Sequence, residues 1–195
     1  MATPGNGVLQ RTAHALHVCA LGVWTGAIAM TAGAAAVIFP TVKQLTPHVP
    51  RYAAVPDEGH WLLLAGNVAS RVFAVSDKVQ LGCAAVTLVT AVVLARARGF
   101  HGALAGKARA AALICALLLV TYYLAVLVPR MTAHLHEHWR LSEAGEVEQA
   151  RVHENAFKND HPTSSRVLAA TAACTLVALL LGAGSPVCCC RRDAE

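Results

Sequence analysis

The chain reads as an all-α integral membrane four-helix bundle, and two observations carry that reading. Four stretches, about 13–39, 68–95, 110–129 and 166–184, are too long and too poor in charge for a soluble core. A hydrocarbon layer roughly 30 Å thick needs about 20 apolar helical residues to cross it. Composition agrees: 56% of the 195 residues are hydrophobic and 14% charged, against about 25% charged in a soluble domain. The apolar runs show no sustained period-two alternation, and in lipid only helices or closed barrels satisfy their backbone. Residues 1–195 are expected to form one four-span domain. Amphipathic helical segments are expected in the first and third connections, and a flexible tail at 185–195.

The first stretch follows Arg11 and is about twice the 7–15 residues of a signal-peptide core, so it reads as a retained helix. Within it Gly22 and Gly26 form G-x-x-x-G, which lets another backbone approach closely. Packing within the bundle is the expected use, with homo-oligomerisation through the first helix as the alternative.

Polar residues precede the second run: Asn67, Ser70, Arg71, Ser76, Asp77 and Lys78, with Leu63 and Phe73 continuing the apolar side. This approach reads as an amphipathic helix at the membrane surface. Two placements stay open for Asp77, inside the span, where ionisable groups are costly and usually paired or functional, or at headgroup level.

The third stretch ends at Pro129-Arg130. An arginine beside lipid favours burial against an acid, and Asp160, Glu154 and Asp77 are the candidates. From Thr132 to Asn159 the chain holds good helix formers, no proline and one glycine, Gly145. The pattern predicts that the third helix is prolonged and then returns as a second amphipathic helix. Pro162 is expected near the first turn of the fourth span, where its missing N–H does no harm.

Orientation follows from charge. The two termini and the middle loop hold Arg11, Arg96, Arg98, Lys107, Arg109, Arg191 and Arg192 against Asp193 and Glu195, a balance of seven against two or +5. The first and third connections hold nine basic and nine acidic residues and sum to zero. Because the basic side of short loops stays inside, both termini are expected to be cytoplasmic. The basic balance is thus a topology signal, and no nucleic-acid motif accompanies it.

Of seven cysteines, Cys19, Cys83, Cys115 and Cys174 fall within spans and read as small apolar residues. Cys188, Cys189 and Cys190 precede Arg191 and Arg192 on the reducing side, a place for acylation, a soft metal or an unstructured tail.

Histidine is the chemical anomaly. His134, His136 and His138 form HLHEH just after the third span, with His153 and His161 in the same connection. On a helix His134 and His138 share a face, so they can chelate Cu, Zn or Ni, completed by Glu137, His153 or water. A solvated juxtamembrane helix is the plain alternative. His14 and His17 lie at the other membrane face, and no opposing mid-span histidine completes a bis-histidine haem site. No nucleophile–base pair or phosphate loop argues for an enzyme.

Taken together these motifs resemble the transmembrane protein 205-like family, also described as the domain of unknown function 4149. The likeness rests on Gly22, Trp24 and Gly26 followed by Phe39-Pro40; on Arg71-Val72-Phe73 leading to Gly82; on Pro129-Arg130 with Thr132; and on Phe157, His161, Ser164 and Ser165. Pro162, Ala74 and the long segment 45–66 depart from the family pattern, and HLHEH is outside it. The resemblance implies a four-span fold and marks Arg130, Phe157, His161 and Ser164 as one cluster. About activity it implies only a loose association with resistance to drugs and metal complexes. A small polytopic membrane protein with a transport, metal-handling or stress-resistance role is the leading expectation. A haem-carrying electron-transfer protein and a non-catalytic scaffold subunit are its rivals.

Overall fold

The computed structural model describes residues 4–98 and 104–183. The expectations for the tail at 185–195, including Cys188, Cys189 and Cys190, lie outside the described residues. Five α-helices follow in order: α1 (Pro4–Gln44), α2 (Asp57–Arg98), α3 (Leu104–Tyr122), α4 (Val128–Glu143) and α5 (Val147–Ala183). A single 3-10 turn, Pro50–Tyr52, sits between α1 and α2, and a π-helical turn, Tyr123–Leu127, joins α3 to α4. Four continuous helical stretches are long and apolar enough to cross a membrane: Gly7–Gln44, Asp57–Arg96, Ala105–Glu143 and Val147–Ala183.

Two helical hairpins make the bundle. α1 packs along α2, α3 and α4 pack along α5, and the hairpins meet chiefly where α1 touches α5. Their shared core takes Leu21, Trp24 and Ile28 from α1, Ala84 from α2, Leu113, Ala116 and Val120 from α3, and Ala178 from α5. The alanines let the helix axes come close, so dispersion contacts replace the hydrophobic drive that lipid does not supply. Large apolar side chains cover the outside: Met30, Val37, Leu81, Val89, Leu118 and Leu180 are all more than half exposed. In water such a surface would be an aggregation patch; in lipid it is the solvent-matched face.

The helices outrun the bilayer. At 1.5 Å per residue, the 42 residues of α2 extend about 63 Å, so the helical segments expected in the first and third connections are continuous with the spans. The third connection shrinks to Ala144-Gly145-Glu146. Gly145 takes φ +80°, and the Glu146 N–H returns to the Leu141 carbonyl at 2.9 Å, the Schellman closure that needs a residue without Cβ.

Two prolines behave differently from one another. Pro162 lies inside α5, not near its start as expected. Its missing N–H costs the carbonyl of exposed Lys158 a partner, which water at the membrane edge can replace. Pro129 follows the π-helical turn, in which the Val128 N–H reaches back to the Tyr123 carbonyl. That wide turn relieves the clash a proline ring makes with the preceding turn.

The 45–56 connection is tied down by one buried histidine. His60 Nδ1 accepts from the Val49 N–H at 3.1 Å, and Nε2 faces the carbonyls of Tyr52 at 2.9 Å and Val55 at 3.0 Å. Because Nε2 meets acceptors only, it carries the proton.

Gly22 and Gly26 are not contact points within the chain: a Cβ at either would meet no atom within 4 Å. α1 instead makes its close contacts through Leu21, Trp24 and Ile28 on the adjoining face.

Candidate functional site

The Gly145 turn lays α4 antiparallel to the first part of α5, and that register decides which histidines meet. His134 and His153 face one another, their Nδ1 atoms 3.1 Å apart and ring centroids 5.4 Å apart. Only one proton fits on that line, so one imidazole donates and the other accepts. One turn further along the same face of α4, His138 donates from Nδ1 to the Ala150 carbonyl at 3.0 Å. Its lone pair is therefore on Nε2.

The other members of HLHEH point elsewhere. Glu137 holds Arg140 through two hydrogen bonds of 3.0 and 2.6 Å, and exposed His136 lies against the Trp139 ring at 5.5 Å. Of the four ligands expected, the fold brings His134 and His153 into contact, sets His138 a turn away and engages Glu137 with a cation.

The His134–His153 geometry suits a metal. Two nitrogens bound at about 2.05 Å stand about 2.9 Å apart at a right angle and about 3.3 Å apart at the tetrahedral angle. The observed 3.1 Å falls between them. Replacing the shared proton by a cation would need little movement of either ring.

Nearer the apolar part of the bundle lies the family-motif group. Arg130 holds Asp160 in a bidentate pair, Nε to Oδ2 and Nη2 to Oδ1, each 2.6 Å. Phe157 stacks on His161 with centroids 5.6 Å apart, and Ser164 is buried. Arg130 and His161 are thus brought to one level of α4 and α5 through Asp160, the acid next in sequence to His161. Glu154 is taken by Lys158, which leaves Asp160 to Arg130.

One constellation escaped the sequence reading. His48, Asp57 and His60 present ligand atoms within 4.8 Å of one another, the only group of three such residues of that kind among the described residues. The spacing H-x8-D-x2-H was the available signal, although it crosses an irregular segment. Because His60 Nδ1 already accepts the Val49 N–H, this trio is a clasp for the connection.

A bundle of four spanning helices, with an ionic and histidine-rich layer where two of them project beyond the apolar region, defines a small polytopic helical membrane protein. Residues 62–139, from α2 through most of α4, match the family described as Domain of unknown function (DUF4149), in agreement with the resemblance carried by the motifs. Arg71-Val72-Phe73, Gly82 and Pro129-Arg130 lie inside the matched segment, and the α1 and α5 motifs outside it. No curated protein and no solved structure matches the chain.

Proposed function

We propose that this membrane protein handles a transition metal, Cu, Zn or Ni, at the extracytoplasmic end of its bundle, with both termini cytoplasmic. The observation that carries the reading is the 3.1 Å approach of His134 Nδ1 to His153 Nδ1. Two imidazoles on separate, rigidly paired helices form a preorganised chelate for a borderline-soft cation. His138 Nε2, on the same face of α4, supplies a third nitrogen after a side-chain rotation, and water completes the set. The site is half-buried and open toward solvent, which suits capture and hand-over better than permanent structural binding. The +5 against zero charge balance supports the orientation.

Titration calorimetry of detergent-purified protein with Zn²⁺, and electron paramagnetic resonance with Cu²⁺, test the reading. His134→Ala and His153→Ala should each weaken binding by more than about tenfold, equivalent to about 1.4 kcal/mol. His136→Ala should leave it nearly unchanged. Equal losses at His134, His136 and His138 with none at His153 would point to an unstructured histidine tract and overturn the site.

A further inference from the structure

The metal reading leaves the interior of the bundle unexplained. A buried polar atom without a partner costs about 1–3 kcal/mol, so spanning helices normally meet through apolar and small residues. α2 nevertheless turns Asp77, Gln80, Thr87 and Thr90 to one side, spread over about 140° at 100° per residue. Gln80 and Thr87 are 0% exposed, Thr90 is buried and Asp77 half-buried.

At one end of this stripe buried Tyr123, the first residue of the π-helical turn, neighbours Asp77. Gln80 Nε2 approaches Asp77 Oδ1 at 3.4 Å. At the other end buried His17 of α1 sets Nδ1 2.8 Å from Thr90 Oγ1. Seven residues separate Tyr123 from Arg130, which places Asp77 about 10 Å inside the Arg130–Asp160 layer. Thirteen more separate it from Thr90, about 20 Å. The column itself therefore covers about two thirds of the roughly 30 Å depth of a hydrocarbon layer, and the Arg130 side lies about 10 Å beyond Asp77.

Between its ends lie three orphans. Gln80 Oε1, Thr87 Oγ1 and Trp24 Nε1 have no hydrogen-bond partner among the described residues, although all three side chains are wholly buried. Gln80 and Thr87 stand two turns apart on α2, about 10 Å, and the antiparallel pairs Thr31–Ser76 and His17–Thr90 put Trp24 of α1 at a level between them; unpaired polar atoms spaced in this way suit a short file of waters rather than a single one. Intramembrane carboxylates and histidines joined by such groups form proton relays.

We propose that this stripe carries protons through the bundle between Asp77 and His17. The Asp77 carboxylate takes a proton from water on the Arg130 side, with Tyr123 orienting it. The proton passes along waters held in turn by Gln80, Trp24 and Thr87, and then to one nitrogen of His17, which loses a proton from the other. One proton enters and one leaves, and no group is changed. Tyr123 of the π-helical turn is the titratable neighbour of Asp77; α1 presents Thr31 and no acid or base at that level, and Lys78 of α2 and Arg166 of α5 are exposed. Arg109 of α3 and His14 of α1 face His17.

The test uses the full chain in liposomes with a trapped pH-sensitive dye, a potassium gradient, valinomycin and a metal chelator. Wild type should move protons several times faster than protein-free vesicles. Asp77→Asn should fall to the protein-free rate and Thr87→Val, nearly isosteric, should lose most of the flux, while Lys78→Gln and His136→Ala keep it. Circular dichroism and elution volume confirm that each variant is folded, and Thr87→Val decides the matter if Asp77→Asn is not. A wild-type rate equal to that of empty vesicles, full flux in Thr87→Val or folded Asp77→Asn, or flux driven by a Na⁺ gradient alone would overturn the proposal. Because metal is chelated throughout, the result is independent of the metal site.

Discussion

Arg130 and Asp160 clamp α4 to α5 through two parallel hydrogen bonds of 2.6 Å. The Asp160 side chain is 19% exposed and the Arg130 side chain 49%, so solvent screens one partner more than the other. Bidentate geometry still makes the pair stronger than an ordinary surface contact. Arg130→Lys, which keeps the charge and loses the fork, should cost about 1 kcal/mol. Asp160→Ala, which strands the guanidinium at the membrane edge, should cost about 1–2 kcal/mol. Thermal unfolding in detergent with the double variant completes the cycle; additive losses would show that the two residues are not coupled.

Removing the His60 ring should loosen the 45–56 connection. His60→Ala strands the Val49 N–H and the carbonyls that now share Nε2, and should cost roughly 2–4 kcal/mol. Limited proteolysis should then cut near Arg51 while α2 stays intact. An unchanged cleavage pattern would show that Tyr52, itself buried, holds the segment alone.

Glycines of α1 and α5 should respond oppositely. Alanine at Gly22 or Gly26 meets open space, so stability should hold or rise by up to about 1 kcal/mol from helix propensity. At Gly182 a Cβ would stand 2.9 Å from the Arg109 guanidinium carbon. Gly182→Leu should therefore expel that side chain and cost about 1–3 kcal/mol. A marked loss of stability at Gly22 or Gly26 would mean that a second chain covers that face.

Orientation is checked by labelling intact cells with an impermeant thiol reagent, in a background whose own cysteines are replaced. Cysteine at exposed Ala144 should react and cysteine at exposed Lys107 should not. The reverse pattern would invert the topology and move the histidine layer inside.

Affinity of the histidine site for Zn²⁺ should fall as pH is lowered through the range in which imidazoles protonate, because a ligating nitrogen must be free of its proton. Calorimetry at a series of pH values reads this directly. A flat profile would implicate carboxylates instead.

Much of the candidate site was legible in HLHEH, since the i, i+4 step sets His134 and His138 on one face of any helix. Which of the two candidate partners, Glu137 or His153, would join them was not. Glu137 was as near in sequence as any ligand, yet it belongs to Arg140, and His153, nineteen positions on, meets His134. Arg130 likewise had three acids to choose from. Only the register imposed by the three-residue turn at Gly145 selects Asp160 and sends Glu154 to Lys158.

The sequence by itself determined that this is a helical protein of four membrane-crossing stretches. That information is local: some 20 consecutive apolar residues suffice to cross the bilayer, and the backbone must satisfy itself within each stretch. Which faces meet was decided only by the tertiary structure. Lipid is as apolar as the bundle interior, so the hydrophobic pattern does not distinguish the buried face of a spanning helix from its outer one. The open face of Gly22 and Gly26, the continuity of α5 through Pro162 and the buried stripe from Asp77 to His17 all follow from how four similar apolar surfaces pack, and no single stretch of sequence encodes that choice.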